Sequence, residues 1–272
     1  MSALERLEAE LAGAGPLVVA YSGGVDSALV LAAALRVLGR DGVLAVTGRS
    51  PALAQREDAE AGRLAALLGA RHRYVETAEG DDPGYRANAG DRCFFCKSVL
   101  LDTLLALAAA EGFAAVATGT NATDALDPFR SGIRAADARG VIAPLRAAGI
   151  PKDEVRRLAR ELGLPVWDKP ASPCLASRVA VGIEVTPRRL RRIEDGEEAV
   201  RRLAAERGVP LRDLRVRDLG SSARVELDAA ALEGLRVDDI EECVRAAGFS
   251  GEEVAVAAYR YGSLNEGRTA GA

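Results

Sequence analysis

A phosphate-binding loop is predicted near the N-terminus, in the six residues Ser22, Gly23, Gly24, Val25, Asp26 and Ser27. The apolar run 17–21 precedes these residues and a run with helical spacing follows them, so they lie at a strand-to-helix junction. The glycines let the backbone turn sharply and direct N–H groups toward an anion, and the Ser22 and Ser27 hydroxyls add further donors. Asp26 repels phosphate, and therefore suits a helix cap or a contact to Mg²⁺.

Polar or small residues also lie at or just after the ends of two other predicted strands. They are Thr47, Ser50, Gly119, Asn121 and Asp124. Ligands of open parallel sheets bind outside the carboxyl ends of the strands, so these residues are candidate contacts of a nucleotide. Asp127 lies a few residues farther along the same segment. The same residue types are common turn formers, and ordinary loop chemistry explains them as well.

A Cys-x-x-Cys pair, Cys93 and Cys96, lies at the start of a predicted helix. A helix N-terminus and neighbouring cations such as Arg92 and Lys97 favour thiolates, which bind metals and attack electrophiles. The spacing alone leaves several interpretations open: half of a zinc site, a redox pair, a cluster anchor or a buried structural pair.

A third thiol, Cys174, lies in a proline-rich loop, and binding and catalytic residues concentrate in such loops. Ser177 and Arg178 follow it closely, and the Arg178 guanidinium is expected to keep the thiol ionised. Three cysteines suit a [4Fe–4S] cluster with one open iron, whereas zinc requires a fourth ligand. The single histidine, His72, is a weak candidate for that position because it lies within a predicted strand. Cys243 occupies an apolar helix face and is expected to be a core residue.

The composition is that of a globular chain with an acidic balance. Of the 272 residues, 49% are hydrophobic, and a net charge of −4 with a pI near 5.4 argues against a protein that coats nucleic acid. No window contains the roughly 18 consecutive apolar residues of a membrane span, and the acidic amphipathic N-terminus does not resemble a secretory signal. A cytoplasmic location is therefore expected, in which the four cysteines are ligands, nucleophiles or core residues rather than disulfides.

Strand and helix patterns alternate through the first part of the chain, which predicts a doubly wound parallel α/β sheet. Strands are predicted at residues 17–21, 43–48, 71–76 and 114–118, and helices at 26–38, 53–68, 98–111 and 151–162. Residues 81–92 are rich in Gly, Asp, Pro and Asn, and are therefore expected to form a loop.

The pattern changes after about residue 186. A charged helix at 187–207 precedes strands at 214–218 and 223–228, a helix at 238–247 and a strand at 254–259, which predicts a small α+β domain. Interleaved Arg and Glu residues at 188–202 predict a solvated helix face. We therefore expect a nucleotide-binding domain with the cysteine site over residues 1–180, and a small domain for substrate binding or oligomerisation over residues 181–272.

Taken together, these motifs resemble those of the LarE family, a branch of the PP-loop ATP pyrophosphatases. Residues 22–27 match the SGG-x-DS signature, and residues 172–178 (SPCLASR) are the most specific part of the likeness. Further matches are the segments 92–97, 119–124, 215–217, 223–226 and 259–266, so the resemblance covers nearly the whole chain.

The resemblance implies a sulfurtransferase that uses ATP and Mg²⁺. Enzymes of this family adenylate a carboxylate of pyridinium-biscarboxylic acid mononucleotide, release pyrophosphate and replace AMP with sulfur, toward the nickel-pincer nucleotide cofactor. Arg215 and Arg217, oriented by Glu226, are expected to bind the mononucleotide phosphate. Their spacing alone is equally compatible with surface salt bridges. No membrane or nucleic-acid partner is expected, and the family is often homo-oligomeric.

Two branches of the family differ in the source of sulfur. One branch sacrifices the sulfur of the cysteine that matches Cys174 and leaves dehydroalanine. The other holds a [4Fe–4S] cluster with three cysteines and carries sulfide, obtained from a sulfide donor, on the open iron. Thiols at Cys93, Cys96 and Cys174 favour the cluster branch.

Three other functions are compatible with a PP-loop. A tRNA thiolation enzyme shares the loop and can hold a three-cysteine cluster, but it requires a basic surface. An ammonia-using amidase or synthetase, similar to NAD synthetase, has no need of Cys174. A non-enzymatic adenine-nucleotide sensor binds ATP without releasing pyrophosphate.

Overall fold

The chain forms two compact units. A computed structural model describes residues 1–126 and 130–260. One unit comprises Met1–Tyr85 and Asp91–Ala171, and the other comprises Arg86–Gly90 together with the chain from Ser172 onward. Asp127 and the family-matched residues 261–266 lie outside the described residues.

The first unit is built on a four-stranded parallel sheet. Its strands are β1 Leu17–Ala20, β2 Val43–Arg49, β3 Arg71–Glu76 and β4 Ala115–Ala117. They lie in the order β3-β2-β1-β4, and every neighbouring pair is parallel. The helices up to residue 171 are α1 Ala3–Ala14, α2 Val25–Leu38, α3 Gln55–Leu67, α4 Pro83–Ala87, α5 Arg92–Glu111, α6 Ser131–Asp137, α7 Pro144–Ala147 and α8 Lys152–Glu161. The predicted parallel α/β sheet is confirmed.

Helices cover both faces of this sheet. Because side chains alternate along a strand, Leu17 and Val19 of β1 face one side, and Val18 and Ala20 face the other. The first side packs against α1, α2, α3 and α8 in one hydrophobic cluster. The second side packs against α5 and α6 in another cluster. Burial on both faces explains why β1 consists of apolar residues throughout.

The segment 81–92 differs from the predicted loop because its polar residues also supply helix caps. Asp82 Oδ1 accepts hydrogen bonds from the Gly84 and Tyr85 N–H groups at 2.7 and 3.1 Å. These bonds satisfy the first N–H groups of the short helix α4. The loop prediction is therefore wrong for residues 83–87.

Helix α5 begins earlier than predicted. It begins at Arg92, with Asp91 at the N-cap position, rather than at residue 98. Cys93 and Cys96 consequently lie in the first two turns of this helix, at its positive end. The Cys-x-x-Cys pair is thus part of a regular helix, so the side chains three residues apart share a face.

Helix α5 is also the one helix in the described ranges whose length and composition would permit a membrane crossing. Its Leu101, Leu104 and Ala108 side chains instead pack with Val18 and Val116 in the core of the sheet. Only 17% of its most apolar 18-residue stretch is buried, and one such helix is weak evidence of a membrane.

The second unit holds a three-stranded sheet. Its strands are β5 Leu214–Asp218, β6 Ser222–Leu227 and β7 Glu253–Ala258, and its helices are α9 Pro187–Glu206, α10 Ala229–Gly234 and α11 Val237–Val244. Strand β6 is central, antiparallel to β5 and parallel to β7. The predicted helix–strand–strand–helix–strand order is confirmed, with two short helices in place of one.

Residues 86–90 belong to the second unit through backbone and side-chain hydrogen bonds. The Asn88 amide donates to the carbonyl oxygens of Ala180 and Ile183 at 2.8 and 3.1 Å. In return, the Gly182 N–H donates to the Asn88 carbonyl at 2.9 Å. Asn88 has a φ of 51°, in the left-handed region that Asn tolerates better than most residues.

The predicted solvated face at 188–202 is wrong for part of α9. Glu197 is 8% exposed and pairs with Arg178 at 2.9 Å. The Arg192 side chain is 11% exposed and pairs with the fully buried Asp218 at 2.6 Å. Alternating charged residues along a helix predict a solvent-exposed face only when their side chains have no partner in another element. Glu197 and Arg192 have such partners in Arg178 and Asp218.

Candidate active site

The predicted phosphate loop forms a tight turn between β1 and α2. The Ser27 hydroxyl donates to the Gly24 carbonyl at 3.1 Å and accepts from the Ser22 N–H at 3.2 Å. Gly24 is the N-cap of α2 and has no side chain, so it leaves the first N–H groups of the helix available to an anion. Residues 22–27 therefore lie at a strand-to-helix junction with the geometry of an anion site.

Two glycines hold this loop close to neighbouring backbone. Gly23 has a φ of +71°, and a Cβ atom there would lie 2.9 Å from the Cα and Cβ atoms of Ala61 in α3. A Cβ atom at Gly119 would lie 2.7 Å from the Ser27 nitrogen. Both positions therefore require glycine, and the segment after β4 packs directly on the phosphate loop.

The Asp26 carboxylate is held by two side chains and is not the helix cap. Asn121 Nδ2 donates to Asp26 Oδ1 at 2.9 Å, and Lys152 Nζ lies 2.5 Å from Asp26 Oδ2. Asn121 is fully buried, whereas the Lys152 and Asp26 side chains are 34% and 23% exposed. An ion pair that a ligand can reach therefore lies beside the loop.

No motif in the sequence identifies Lys152 as a site residue. It follows Pro151 at the start of α8, far from the phosphate loop along the chain. The chain contains 36 Lys and Arg residues in total, and only three of them are lysines: Lys97, Lys152 and Lys169. This scarcity of lysine in an arginine-rich chain is the one signal that could have drawn attention to it.

Asp124 lies beside Asn121 in the turn after β4. The Asn121 N–H donates to Asp124 Oδ2 at 3.3 Å, and Arg130 pairs with Asp124 at 2.9 Å. Burial raises the pKa of Asp124, Arg130 and the Asn121 N–H oppose that shift, and the charge of Asp26 adds to it. The two carboxylates thus repel each other, an arrangement that a cation would stabilise.

Thr47 and Ser50 lie at the end of β2, and their side chains bond within the protein. The buried Thr47 hydroxyl donates to the Tyr21 carbonyl at 2.7 Å and lies 2.9 Å from His72 Nε2. Burial lowers the pKa of His72, which favours the neutral ring. The Ser50 hydroxyl accepts from the Ala52 N–H at 3.2 Å. The Thr47 side chain is therefore committed to the sheet.

The two cysteines of α5 have different surroundings. Cys93 is exposed, whereas Cys96 is half-buried and its Sγ lies 4.0 Å from Glu79 Oε1. Glu79 is 4% exposed, and its Oε2 has no hydrogen-bond partner within the described chain. The loss of solvent around its ammonium lowers the pKa of Lys97, and Cys96 and Cys93 oppose that shift. A buried carboxylate at this place has no counterpart among the predicted site residues.

The loop that carries Cys174 is shaped by Arg178. Cys174 is exposed and immediately precedes a short 3₁₀ turn. The Arg178 guanidinium donates to the carbonyl oxygens of Pro173 and Cys174, at 3.1 Å for Cys174. It also donates to the Ser177 hydroxyl at 3.3 Å and pairs with Glu197 at 2.9 Å. Arg178 therefore holds the backbone around the thiol, through carbonyl contacts rather than the expected contact to sulfur.

Arg215, Arg217 and Glu226 lie on one face of the second sheet. Arg215 and Arg217 alternate along β5, and Glu226 of β6 is the direct cross-strand partner of Arg215. Arg217 pairs with Glu226 at 2.9 Å and donates to the Ser177 carbonyl at 3.3 Å. All three side chains belong to buried residues, so they are not the surface salt bridges that spacing alone also allows.

These residues belong to a cluster with more positive than negative charge, which we call the arginine cluster: Arg178, Arg215, Arg217 and Arg224, with Glu197 and Glu226. Burial lowers the pKa of Arg215, and the charge of Arg178 lowers it further. Glu226 accepts from Arg224 at 3.0 Å as well as from Arg217. An anion bound here would offset the repulsion among the guanidinium groups, so the cluster has the chemistry of a phosphate site.

The predicted metal sites can be compared with the donors that the structure offers. Within residues 1–126 and 130–260, no three His, Cys, Asp or Glu side chains are grouped closely enough to hold a metal ion. The donor types nevertheless include those of an iron–sulfur group, because Cys93, Cys96 and Cys174 are in no disulfide. Carboxylates near the phosphate loop are likewise the oxygen ligands that Mg²⁺ prefers.

The chain is similar to two proteins over nearly its whole length. It is 40% identical over 268 residues to the uncharacterised protein slr1717 of Synechocystis sp., which covers 97% of both chains. It is 34% identical over 252 residues to the pyridinium-3,5-bisthiocarboxylic acid mononucleotide synthase of Lactiplantibacillus plantarum, which covers 92% of this chain and 89% of that protein.

A more limited similarity concerns the argininosuccinate synthase of Halobacterium salinarum. It is 34% identical over 166 residues, which cover 56% of this chain and 40% of that protein. No protein-family model matches the chain. The similarity to the mononucleotide synthase, by contrast, spans both units and includes the phosphate loop, the Cys174 loop and the arginine cluster. The chain therefore belongs to the LarE family, the family of the pyridinium-3,5-bisthiocarboxylic acid mononucleotide synthase.

Proposed function

We propose that the protein is an ATP-dependent sulfurtransferase that acts on pyridinium-3,5-biscarboxylic acid mononucleotide. ATP adenylates a carboxylate of the substrate and releases pyrophosphate, and a sulfur nucleophile then displaces AMP. Membership of the synthase family supports this reaction. The observation that carries it is that exposed Cys174 lies on a loop that Arg217 ties to the arginine cluster. A reactive sulfur beside an anion site suits sulfur transfer to a phosphorylated substrate.

The phosphate loop is proposed to carry the activation step. A carboxylate is a poor electrophile until its oxygen becomes part of a good leaving group, and adenylation provides that group. The N–H groups at the start of α2 and the Ser22 and Ser27 hydroxyls bind the phosphates. Asp26 and Asp124 supply oxygen ligands to the Mg²⁺ that offsets the phosphate charge. Lys152 then moves from Asp26 to the pyrophosphate and stabilises its developing charge.

The ends of the strands are proposed to bind the remainder of the nucleotide. Backbone atoms around Thr47 and Ser50 contact the adenosine, because the Thr47 side chain is bonded within the sheet. Gly119 allows close approach to the phosphate loop, and Asn121 orients the Asp26 carboxylate. These roles follow the rule that ligands of open α/β sheets bind at the carboxyl ends of the strands.

The arginine cluster is proposed to bind the phosphate of the mononucleotide. The planar guanidinium groups of Arg215 and Arg217 bind phosphate oxygens in pairs. Glu226 accepts hydrogen bonds from Arg217 and Arg224 and thereby sets the plane of each guanidinium group. Because Arg217 also binds the Ser177 carbonyl, substrate binding is coupled to the position of the Cys174 loop.

Cys93, Cys96 and Cys174 are proposed as the ligands of a [4Fe–4S] cluster, which supplies sulfide, taken from an external donor, as the nucleophile. The alternative within the same family is that the Cys174 sulfur itself is transferred. The exposure of Cys174 agrees with either role. We further propose that the enzyme acts in the cytoplasm as a homo-oligomer.

The proposed reaction can be tested with anaerobically purified protein reconstituted with iron and sulfide. ATP and the mononucleotide should give a thiocarboxylate product by mass spectrometry, with AMP and pyrophosphate formed in equal amounts. The reconstituted protein should show iron–sulfur absorbance and repeated turnovers, and Cys93→Ala should remove both. Absence of an ATP-dependent thiocarboxylate would contradict the reaction. Full activity without iron, with one Cys174 sulfur lost per product, would contradict the cluster alone.

Replacement of Lys152 by Met should slow pyrophosphate release. The loss of a hydrogen bond to a charged group costs about 1.5–3 kcal/mol, which lowers kcat/KM by roughly tenfold to hundredfold. The same variant removes the cation 2.5 Å from Asp26, so Mg²⁺ should half-saturate the enzyme at a lower concentration. Both quantities can be measured with a coupled pyrophosphate assay.

Arg157→Met is the matched control, because Arg157 lies on the same helix with a half-exposed side chain that pairs with Glu154. This control should change neither kcat/KM nor the Mg²⁺ requirement. An unaltered kcat/KM in Lys152→Met would exclude Lys152 from the site.

A further inference from the structure

A chain of hydrogen bonds connects the single histidine of the protein, His72, to the phosphate loop. The Thr47 hydroxyl donates to the Tyr21 carbonyl at 2.7 Å and lies 2.9 Å from His72 Nε2. A hydroxyl carries one proton, and Thr47 gives that proton to Tyr21. His72 must therefore donate the second hydrogen bond, so the neutral ring carries its proton on Nε2.

The Tyr21 carbonyl belongs to the first peptide group of the phosphate loop. The N–H of the same peptide group is that of Ser22, which donates to Ser27 Oγ at 3.2 Å. Ser27 Oγ donates in turn to the Gly24 carbonyl at 3.1 Å. Because a peptide group is planar, a bond that fixes its carbonyl also fixes the direction of its N–H. The hydrogen bonds from His72 therefore continue through this peptide plane into the loop.

The surroundings of His72 hold its ring in place for this bond. The ring is half-buried and packs edge-on between Tyr21 and Tyr74, with ring centroids 5.6 and 4.5 Å away. Thr47 is the direct neighbour of Tyr74 in the sheet register, and His72 lies two residues before Tyr74, so the three side chains share one face. A ring fixed on both sides loses little further freedom when it donates to Thr47.

We propose that His72 is a positioning residue for ATP binding, which acts through Thr47 to fix the peptide plane between Tyr21 and Ser22. This inference rests on the nucleotide site proposed above and adds a residue that lies outside the phosphate-loop motif. A loop whose first peptide group is already fixed loses less conformational freedom when it closes on phosphate, so the same contacts give tighter binding.

Two variants of similar length separate this hydrogen bond from the packing of the ring. His72→Gln keeps an N–H donor near the position of Nε2, whereas His72→Met has no donor. His72→Met should raise the dissociation constant of Mg²⁺–ATP by about threefold to tenfold, the effect of one hydrogen bond. His72→Gln should stay within about twofold of the wild type. Isothermal titration calorimetry of the full-length protein measures these constants.

Thr47→Val interrupts the same chain at its middle, because valine keeps the shape of threonine without the hydroxyl. This variant should weaken Mg²⁺–ATP binding as much as His72→Met does. The double variant should bind little more weakly than either single variant, because both changes break one chain. Thr103→Val is the matched control, since the Thr103 hydroxyl also donates to a carbonyl, that of Val99 at 2.9 Å, within α5. It should bind Mg²⁺–ATP as the wild type does.

Nuclear magnetic resonance reads the tautomer directly, because His72 is the only histidine of the chain. Long-range proton–nitrogen spectra of tag-free protein at neutral pH should show a protonated Nε2 and an unprotonated Nδ1. An Nδ1–H tautomer would overturn the inference even if every variant failed to fold. Equal losses of affinity in His72→Gln and His72→Met would also overturn it, because ring packing would then be the cause.

The binding measurements also separate this inference from the proposed function. If the wild type binds Mg²⁺–ATP and the variants Thr47→Val and His72→Met bind it equally well, the role of His72 is wrong and the proposed function stands. A wild type that does not bind Mg²⁺–ATP would overturn the proposed nucleotide site and the inference together.

Discussion

Cys174→Ser should lower thiocarboxylate formation by roughly a thousandfold or more, while ATP and the substrate carboxylate still give the acyl adenylate and pyrophosphate. Serine preserves the size of the side chain but supplies a hard oxygen, which neither binds iron well nor carries transferable sulfur. Cys174 is exposed, so the substitution removes no core contact. The phosphate loop at residues 22–27 lies in the other unit, so the substitution changes no residue of that loop. The product is measured by mass spectrometry and pyrophosphate by a coupled assay.

The matched control is Cys243→Ser, which removes the cysteine of α11 and should leave product formation unchanged. Thiocarboxylate formed at the normal rate by Cys174→Ser would show that Cys174 supplies neither sulfur nor a required ligand. If that variant formed an amide from ammonia, the protein would be a synthetase of the nitrogen-using kind. Mass spectrometry of wild-type Cys174 after turnover distinguishes dehydroalanine, expected for a sacrificed sulfur, from the intact cysteine expected for a cluster ligand.

Arg178→Leu should destabilise the second unit by about 3–5 kcal/mol. The Arg178 and Glu197 side chains are 4% and 10% exposed, so removal of one partner leaves a buried carboxylate without its cation. The same change removes the donor to the Pro173 and Cys174 carbonyl oxygens, so the Cys174 loop should also lose order. Urea denaturation should show a lower midpoint with little change in slope, and iodoacetamide should alkylate Cys174 at a different rate.

A double variant, Arg178→Leu with Glu197→Leu, should recover much of the lost stability, because the uncompensated charge is gone. It should not restore the reactivity of Cys174, since the donor to the loop carbonyl oxygens remains absent. The surface pair Arg207–Asp239, with 57% and 29% exposed side chains, supplies the control. Arg207→Leu should cost less than about 1 kcal/mol. A similarly small cost for Arg178→Leu would contradict a structural role for the buried pair.

The main elements of both units follow from local sequence patterns. Continuous apolar runs predict the buried strands β1 and β2, because a parallel sheet covered on both faces excludes polar side chains. Helical spacing between glycines predicts α2 and α3. The short helix α4 does not follow from such patterns, because it depends on whether Asp82 acts as a cap or as a turn residue. A segment rich in Asp and Gly is compatible with a capped helix and with a turn. The beginning of α5 does not follow either, since Asp91 at its N-cap position makes no side-chain cap hydrogen bond.

The sequence identifies those parts of the candidate site whose residues lie close together along the chain. The six residues of the phosphate loop, the Cys-x-x-Cys pair and the SPCLASR run each form one short segment whose spacing indicates a chemistry. Arg215 and Arg217 are identified because alternation along a strand places both on one face. Spacing cannot indicate whether the two arginines are buried. Because both are buried, they form a cluster whose chemistry suits phosphate rather than a pair of surface salt bridges.

The sequence by itself determined a glycine-rich loop with the signature of a phosphate loop at a strand-to-helix junction, three cysteines in two candidate segments and an alternating arginine pair. Only the tertiary structure decided which groups surround them. Lys152 reaches Asp26 across 126 positions of sequence, and Glu79 reaches Cys96 across 17. These partners share no periodic spacing in the sequence, because they meet where separate elements pack against each other. The free energy of a charged group depends on its burial and on its neighbours, which only that packing determines.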